Sequence, residues 1–413
     1  MKIDKYSFGT GDRFGKEGTA QLDAIREMNT LGIPVVPVWN KSNREHSIIG
    51  SVPAEVRDEA QRAVRSAGYT GNYFVDADHI NLETVDRFIS SSDFFTIDVA
   101  HFIGKKASED EVADFVSHHG KYRKLAIPGI PDGPEIREDF LKKLAENYLV
   151  ALHEVKKIYD RIITAKGPGT FITEVSVDEA EMVQGPVELF FILAELKHLD
   201  VEVQTIAPKF SGLFAKGIDY IGDTSAFSDE FENDVAVVKF AISELGLADS
   251  LKLSVHSGSD KFSIYPSIKK AIQKFDTGIH VKTAGTTWLE EVIGLAEAGK
   301  NGLAMAKEIY AKSFERFDEL AGPYATVLKI DRSELPSPTE VDTWSSIHFA
   351  DALTHDTRCS AYNPHFRQLI HVGYKIAAEM GQSFRDALDE HHEIIASRVK
   401  HNLLEKHLKR LFL

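Results

Sequence analysis

The sequence predicts an α/β protein built as a (β/α)8 TIM-type barrel, on three observations. Eight short apolar segments are each followed by a polar loop and a helical pattern, which is typical of a parallel sheet. Eight is also the number of strands that closes this barrel. Finally, the rival doubly wound sheet would carry a glycine-rich phosphate loop, and the segment Gly9–Gly15 (GTGDRFG) has the wrong glycine spacing for one.

The clearest strand is the segment 251–256, LKLSVH, in which apolar and polar residues alternate. A period of two indicates a strand with one face on an apolar layer and the other toward a polar environment. The other predicted strands, in chain order, lie in KYSF, IPVVPVW, NYFV, DFFTI, TFITEVSVDE, VEVQTIAP and GIHVKTAG. The intervening helices are predicted near 19–31, 53–67, 82–90, 135–163, from 186, 230–244, from 267 and from 287.

The pattern of alternating strands and helices ends near residue 311. We therefore predict a catalytic barrel over 1–311, interrupted after the fourth strand by an insertion at 102–165, and a C-terminal helical extension over 312–413 that packs on the barrel. The extension is expected either to cap the barrel or to form the subunit contact of a homo-oligomer.

The composition excludes several classes of partner. The formal net charge is −15 at pH 7, so neither nucleic acid nor an anionic membrane is expected, because both are bound by basic faces. No stretch approaches the roughly 18 apolar residues of a membrane span, and the N-terminal MKIDKYSFGTG has no apolar signal-peptide core. The single cysteine, Cys359, excludes a disulfide framework. We therefore expect a cytoplasmic protein.

Chemistry in such barrels takes place at the carboxyl ends of the strands. His79, His256 and His280 lie at three predicted strand ends, among several carboxylates and lysines. A single histidine there is usually a hydrogen-bonded core residue, and an aspartate is often a helix N-cap. Three histidines converging on one barrel mouth instead favour a divalent metal such as Mn, Fe, Co, Ni or Zn. The lysines indicate a small anionic substrate, although Lys252 or Lys282 as a Schiff-base lysine stays open.

Several longer motifs are similar to those of the tagaturonate epimerase family, which interconverts tagaturonate and fructuronate in hexuronate catabolism. The motifs are SFGTGDRFG at 7–15, DADH at 76–79, FFTID at 94–98, EVSVDE at 174–179, LSVHSGSDKFSIYP at 253–266, HVKTAGT at 280–286 and NPHFRQLIHVGYK at 363–375. The resemblance spans nearly the whole chain. It implies an isomerase that needs a divalent metal and acts on a keto-uronate or a closely related ketose.

The resemblance also implies roles for individual residues. Asp78 is the expected proton acceptor, and the proton donor is expected among three acids after the fifth strand, Glu181, Glu179 and Glu174. The expected metal ligands are His79, Asp223 and His256. The expected ligands of the substrate oxygens are Arg13, Lys261, His280 and Lys282.

Other functions stay open at this point. A metal-dependent ketose–aldose isomerase or a class II-type aldolase on the same barrel would need the same kind of metal site, and only the product would distinguish them. A non-catalytic sugar-binding protein would have no need of the metal ligands. The presence of Asp78, His79 and His256 favours an enzyme.

Overall fold

The computed structural model describes residues 1–130, 136–178, 180 and 183–413. Within these residues eight parallel strands, each paired with its sequence neighbours and β1 with β8, form a closed barrel. The strands are β1 Tyr6–Gly11, β2 Val35–Ser42, β3 Phe74–Ile80, β4 Phe94–Asp98, β5 Ile172–Ser176, β6 Thr205–Ala207, β7 Lys252–His256 and β8 Ile279–Lys282. The predicted (β/α)8 barrel is confirmed.

Helices surround the barrel and continue beyond β8. In the first part of the chain they are α1 Gly18–Thr30, α2 Asn43–Ile49, α3 Pro53–Ser66, α4 Glu109–His119, α5 Glu138–Lys166, α6 Pro186–His198, α7 Thr224–Leu245, α8 Tyr265–Lys274 and α9 Thr286–Glu297. The later ones are α10 Lys300–Glu315, α11 Phe317–Ala321, α12 Pro338–Asp342, α13 Ser346–Leu353, α14 Pro364–Val372, α15 Tyr374–Met380, α16 Gln382–Glu390, α17 His392–His401 and α18 Lys409–Phe412. A π-helical segment, Asn402–Leu408, joins the last two. No helix among the described residues is long and apolar enough to cross a membrane.

The barrel interior changes from apolar to polar along the strands. Near the amino ends of the strands an apolar cluster fills it, consisting of Ile3, Val36, Val38, Phe74, Phe94 and Ile172. Toward the carboxyl ends, buried polar side chains from the same strands replace it, including Asp76, Thr96 and Glu174. Because side chains two positions apart share a face of a strand, each of these strands carries an apolar floor and a polar mouth.

Strand β3 is irregular at the DADH segment. Its pairing with β4 shifts between Ala77 and Ile80, and His79 has φ of 52°. A bulge of this kind turns the side chain of an extra residue, and such bulges recur beside active sites. It explains how Asp78 and His79, although adjacent, contact each other and the same site. A regular strand would send them to opposite faces.

The last helices are fastened to the barrel through the loop after β7. Asp260, fully buried, accepts a hydrogen bond from Arg367 Nη2 at 2.8 Å. Its two oxygens also contact His355 Nδ1 at 3.2 Å and His407 Nε2 at 3.0 Å. One carboxylate at the barrel mouth is therefore bonded to three separate parts of the C-terminal region.

Candidate active site

Two histidines and one aspartate meet at the barrel mouth. His256, the last residue of β7, places Nδ1 3.0 Å from Asp178 Oδ2. His79, at the bulge in β3, places Nε2 3.9 Å from Asp178 Oδ1. Among the described residues, these three form the group of metal-ligating side chains whose donor atoms all lie within 4.8 Å of one another. Strands β3 and β7 and the loop after β5 therefore supply one ligand atom each.

The outer nitrogen of each histidine is held by a second carboxylate. His79 Nδ1 lies 2.9 Å from Asp78 Oδ1, and His256 Nε2 lies 2.7 Å from Glu174 Oε1. These bonds fix the orientation of both rings and leave the inner nitrogens facing Asp178. Carboxylates that orient a histidine in this way accompany metal-binding histidines in general.

Lys282, at the end of β8, connects the carboxylates below the histidines. Its Nζ lies 2.5 Å from Asp78 Oδ1, 2.7 Å from Asp76 Oδ2 and 3.4 Å from Glu174 Oε1. Burial would lower the pKa of Lys282, but the three carboxylates raise it well above its ordinary value. The lysine is therefore a fixed positive charge, and a lysine in such surroundings is unsuited to Schiff-base chemistry, which needs the neutral amine.

The carboxylates around Lys282 differ in their affinity for a proton. Burial raises the pKa of Asp76 to about 7, because Lys282 offsets it only in part and Asp78 and Glu174 add negative charge. Burial also acts to raise the pKa of Asp78, but Lys282 and His79 together hold this pKa well below its ordinary value. Neighbouring acids with separated pKa values are typical of acid–base sites. Asp76 is the member of this pair that can hold a proton near neutral pH.

The three-ligand group fits a divalent cation. Two imidazole nitrogens and one carboxylate oxygen are donors that suit Mn, Fe, Co, Ni and Zn, and they leave coordination positions open for a substrate. Burial lowers the pKa of His256, but Asp178 and Glu174 raise it to about 9. A histidine must lose its proton to bind a metal. A divalent cation replacing one proton on each histidine would therefore leave the total charge of the site unchanged.

The structure brings five of the predicted site residues together and adds one. Asp78, Glu174, His79, His256 and Lys282 all belong to the network just described. The carboxylate beside the two histidines is Asp178, whereas the sequence-based choice was Asp223. Asp223 is exposed and caps α7, accepting hydrogen bonds from Ser225 N at 2.8 Å and Ala226 N at 3.3 Å. Asp178 lies within the EVSVDE motif, two residues after β5 ends, so its position at a strand end was the signal that would have identified it.

The other predicted residues that the structure describes are bonded to different partners. His280 is fully buried one layer below the mouth, with Nδ1 2.9 Å from Ser7 Oγ. Lys261 is fully buried and donates to Ile218 O and Ser259 Oγ. The roles of both as substrate ligands stay predictions. Glu179 and Glu181 lie outside the described residues.

Arg13 lies in the loop after β1 and is also buried. Its Nε is 3.1 Å from Glu45 Oε1, and its guanidinium lies 4.0 Å from the centre of the Tyr374 ring. Burial and the neighbouring Asp78 act to raise the pKa of Glu45, but Arg13 and a backbone hydrogen bond from Ser42 outweigh them and hold this pKa below its ordinary value. Arg13 and Glu45 therefore belong to the barrel mouth, close to Asp78.

Comparisons with known proteins identify the family. The sequence model of the tagaturonate epimerase family matches residues 1–411. The chain is 30% identical over 421 residues to the tagaturonate/fructuronate epimerase of Thermotoga maritima, covering 98% of this chain and 79% of that protein. Crystal structures of fructuronate-tagaturonate epimerase UxaE from Cohnella laeviribosi match with a TM-score of 0.80, at 25% identity for a one-glycerol complex and 26% for the native protein. Each match covers 100% of this chain and 82% of the other. The ketose–aldose isomerase and the class II-type aldolase are not favoured, and the chain belongs to the tagaturonate epimerase family.

Proposed function

We propose that this chain is a metal-dependent epimerase that interconverts D-tagaturonate and D-fructuronate or a closely related keto-uronate or ketose. The observation that carries the proposal is the convergence of His79, Asp178 and His256, with Asp78 and Glu174 orienting the histidines, in a member of the tagaturonate epimerase family. The donors fit Mn, Ni, Zn, Fe or Co. When bound, such a cation supplies Lewis-acid chemistry at the ketone oxygen of the substrate.

The substrate sets a chemical difficulty. The carbon that is inverted is β to the ketone, so its C–H bond is not acidified by the carbonyl group. Removing and returning that proton would therefore gain nothing from an enediolate. A retro-aldol route avoids the difficulty. Loss of the hydroxyl proton at the inverted carbon lets the adjacent C–C bond break to a three-carbon enediolate and a three-carbon aldehyde. Rotation of the aldehyde followed by bond formation gives the epimer.

The buried network supplies the proton transfers of this route. Asp78 accepts the hydroxyl proton. Lys282 Nζ contacts both Asp78 and Asp76, so a proton can move from Asp78 to Asp76 by a concerted shift through the ammonium group, which keeps its positive charge throughout. The pKa of Asp76, raised by burial to about 7, lets it store the proton while the C–C bond is broken. For the return of the proton to the new hydroxyl, the predicted donors in and after β5 are the alternatives to this relay, and Glu174, within β5, is the one that the structure describes.

The activity is tested by proton NMR of D-tagaturonate incubated with metal-stripped protein, before and after addition of Mn²⁺, Ni²⁺ or Zn²⁺. We expect D-fructuronate signals to appear only after metal is added. Absence of conversion with every metal would contradict the proposed substrate, and equal conversion with and without metal would contradict the metal requirement.

The route is tested separately, by running the reaction in deuterium oxide and by adding labelled three-carbon aldehyde. The retro-aldol route predicts no deuterium at the inverted carbon and exchange of the labelled fragment into the product. Deuterium at that carbon without fragment exchange would replace it by direct proton transfer.

We also propose a cellular location and an oligomeric state. The single cysteine, Cys359, supports a cytoplasmic location. A homo-oligomer remains the expectation for the helical extension, and light scattering at several protein concentrations would test it.

A further inference from the structure

His371, near the end of α14, is a buried histidine that lies outside the network described above. Its side chain is 2% exposed, and neither ring nitrogen has a hydrogen-bond partner among the described residues. Buried polar groups are nearly always hydrogen-bonded, so a side chain with two such atoms calls for an explanation.

Two glycines in the barrel loops make room for this imidazole. A Cβ atom at Gly285 would lie 2.2 Å from His371 Nε2, and one at Gly217 would lie 3.2 Å from His371 Cβ. Gly285 follows β8 and donates its amide proton to the carbonyl of Gly258, which follows β7. The ring therefore rests on the loops that directly follow Lys282 and His256, at the edge of the candidate active site.

The surroundings of His371 are positively charged. Burial lowers the pKa of His371 well below its ordinary value, and the charges that act on it most strongly are Arg13, Lys216, Lys261 and Arg367, all cations. A neutral imidazole has one N–H donor to offer. Arg13 and Arg367 are ion-paired with Glu45 and Asp260, so the excess of positive charge around His371 is smaller than the number of cations suggests.

Two tyrosines of the C-terminal region hold the nearest of these cations in place. Arg13 stacks on Tyr374 at 4.0 Å and donates from Nη1 to His371 O at 3.4 Å. Lys216 Nζ lies 5.4 Å from the centre of the Tyr324 ring, and the two tyrosine hydroxyls are 3.1 Å apart. Cation–π contacts of this kind hold the two cations in place, and Arg13 is also ion-paired with Glu45 at 3.1 Å.

The mouth is thus polarised. The candidate metal ligands and their carboxylates come from β3, β5 and β7 and the loop after β5, whereas Arg13, Lys216 and His371 come from the loops after β1 and β6 and from α14. A keto acid with its ketone at one end and its carboxylate at the other has matching polarity. We propose that His371, together with Arg13 and Lys216, binds the terminal carboxylate of the substrate, so that the C-terminal region completes the active site and selects acids over neutral sugars. This inference rests on the proposed function.

The test compares binding of D-tagaturonate with that of D-tagatose, which carries a hydroxymethyl group in place of the carboxylate. Dissociation constants are measured by calorimetry on the full-length protein loaded with the same divalent metal. His371→Ala is expected to weaken D-tagaturonate binding by about 10- to 100-fold, as for loss of a hydrogen bond to a charged group. Binding of D-tagatose should change less than about threefold, within the range of a surface substitution.

Three variants complete the design. His371→Gln keeps an N–H donor and should restore most of the affinity for the acid, and Lys216→Met should reduce the preference for the acid without removing a core side chain. His401→Ala removes an exposed histidine of the same region and serves as the control.

The possible outcomes test the carboxylate subsite and the proposed epimerase activity independently. Equal loss of affinity for both ligands in His371→Ala, or no loss for either, would overturn the subsite. If the wild-type protein prefers the acid and loses that preference in His371→Ala, but does not epimerise it, the subsite stands and the proposed reaction fails.

Discussion

The loop after β7 separates two clusters that look alike by composition. On one side, Asp178 meets His79 and His256. On the other side, Asp260 meets His355 and His407. Each cluster contains one carboxylate and two histidines, and His256 and Asp260 are only four residues apart in sequence.

The two clusters differ in what surrounds them. Asp260 is fully buried and its charge is balanced by Arg367 at 2.8 Å. Burial raises the pKa of Asp260, but Arg367 and the two histidines hold it well below its ordinary value. Around Asp178, by contrast, further carboxylates hold the outer nitrogens of the histidines, and the side chains of Asp178 and His79 are 21% and 24% exposed. A candidate cation site is therefore distinguished from a structural ion pair by two features. It has more carboxylates than bonded cations, and its side chains are partly exposed to solvent.

The largest difference is expected when one histidine is removed from each cluster. His256→Ala deletes a proposed metal ligand. If the proposal holds, the purified variant should contain no metal, and its activity should fall by more than about a hundredfold, which exceeds the loss expected for a residue that only orients a ligand. His355→Ala should keep the metal and lower the free energy of unfolding by about 1–3 kcal/mol, because a buried hydrogen bond to a carboxylate is lost. Metal content, NMR turnover and chemical denaturation measure these effects.

His401→Ala serves as the control here as well, because it removes an exposed histidine. If His256→Ala retained metal and activity while His355→Ala lost them, the assignment of the two clusters would be reversed.

The next largest effect is expected at Arg367. Arg367→Ala leaves Asp260 buried without its main counter-charge, which should cost about 3–5 kcal/mol of unfolding free energy. The double variant Arg367→Met with Asp260→Leu removes both charges and should recover part of the loss, because two apolar groups need no compensation. A stability of the double variant no better than that of Arg367→Ala would show that the ion pair itself is not the source of the effect.

The contrast between the clusters also marks the limit of what the sequence could predict. The eight strands, the polar mouth and the residues His79, His256 and Lys282 follow from alternation and from the position of polar residues at strand ends. The identity of the third carboxylate follows only in part. Asp178 comes two residues after β5, whereas Asp223 lies well beyond the end of β6 and caps α7, but motif spacing alone does not show which aspartate reaches the two histidines.

Long-range contacts are the second limit. The partners of Asp260 lie about 100 and 150 residues away along the chain, and no local pattern connects them. The bulge that turns both Asp78 and His79 toward one site depends on the pairing of β3 with β4. Such features arise from tertiary packing, so motif spacing alone does not show them.

A smaller effect is expected at the carboxylate that orients His256. Glu174→Gln keeps the size of the side chain and a hydrogen-bond acceptor but removes its charge. We expect metal affinity to fall by about 10- to 100-fold, as for other outer partners of metal-binding histidines. Competition with a chelator measures the affinity.

Turnover at saturating metal then separates two roles of Glu174. If the residue only orients His256, excess metal restores kcat. If kcat stays low with the site fully loaded, Glu174 takes part in proton transfer, as the sequence-based prediction holds.

The smallest effect is expected where a buried carboxylate has no cation bonded to it. Neither oxygen of Glu17 has a hydrogen-bond partner among the described residues, and the nearest basic atom, His392 Nδ1, is 3.7 Å away. Burial, together with Asp12, raises the pKa of Glu17 to about 8, opposite in direction to Asp260.

Between pH 4.5, the ordinary pKa of a glutamate, and pH 8, folded Glu17 keeps a proton that the unfolded chain has lost. The free energy of unfolding must therefore fall as pH rises through this window. Glu17→Gln removes this dependence and should be more stable than the wild type at pH 8–9, by about 1–2 kcal/mol, with a smaller difference at pH 5. Denaturation at both pH values, with the exposed Glu393→Gln as control, measures the difference. A difference that does not grow with pH would mean that Glu17 is ionised in the folded protein, and that burial without a bonded cation does not by itself keep a carboxyl group protonated here.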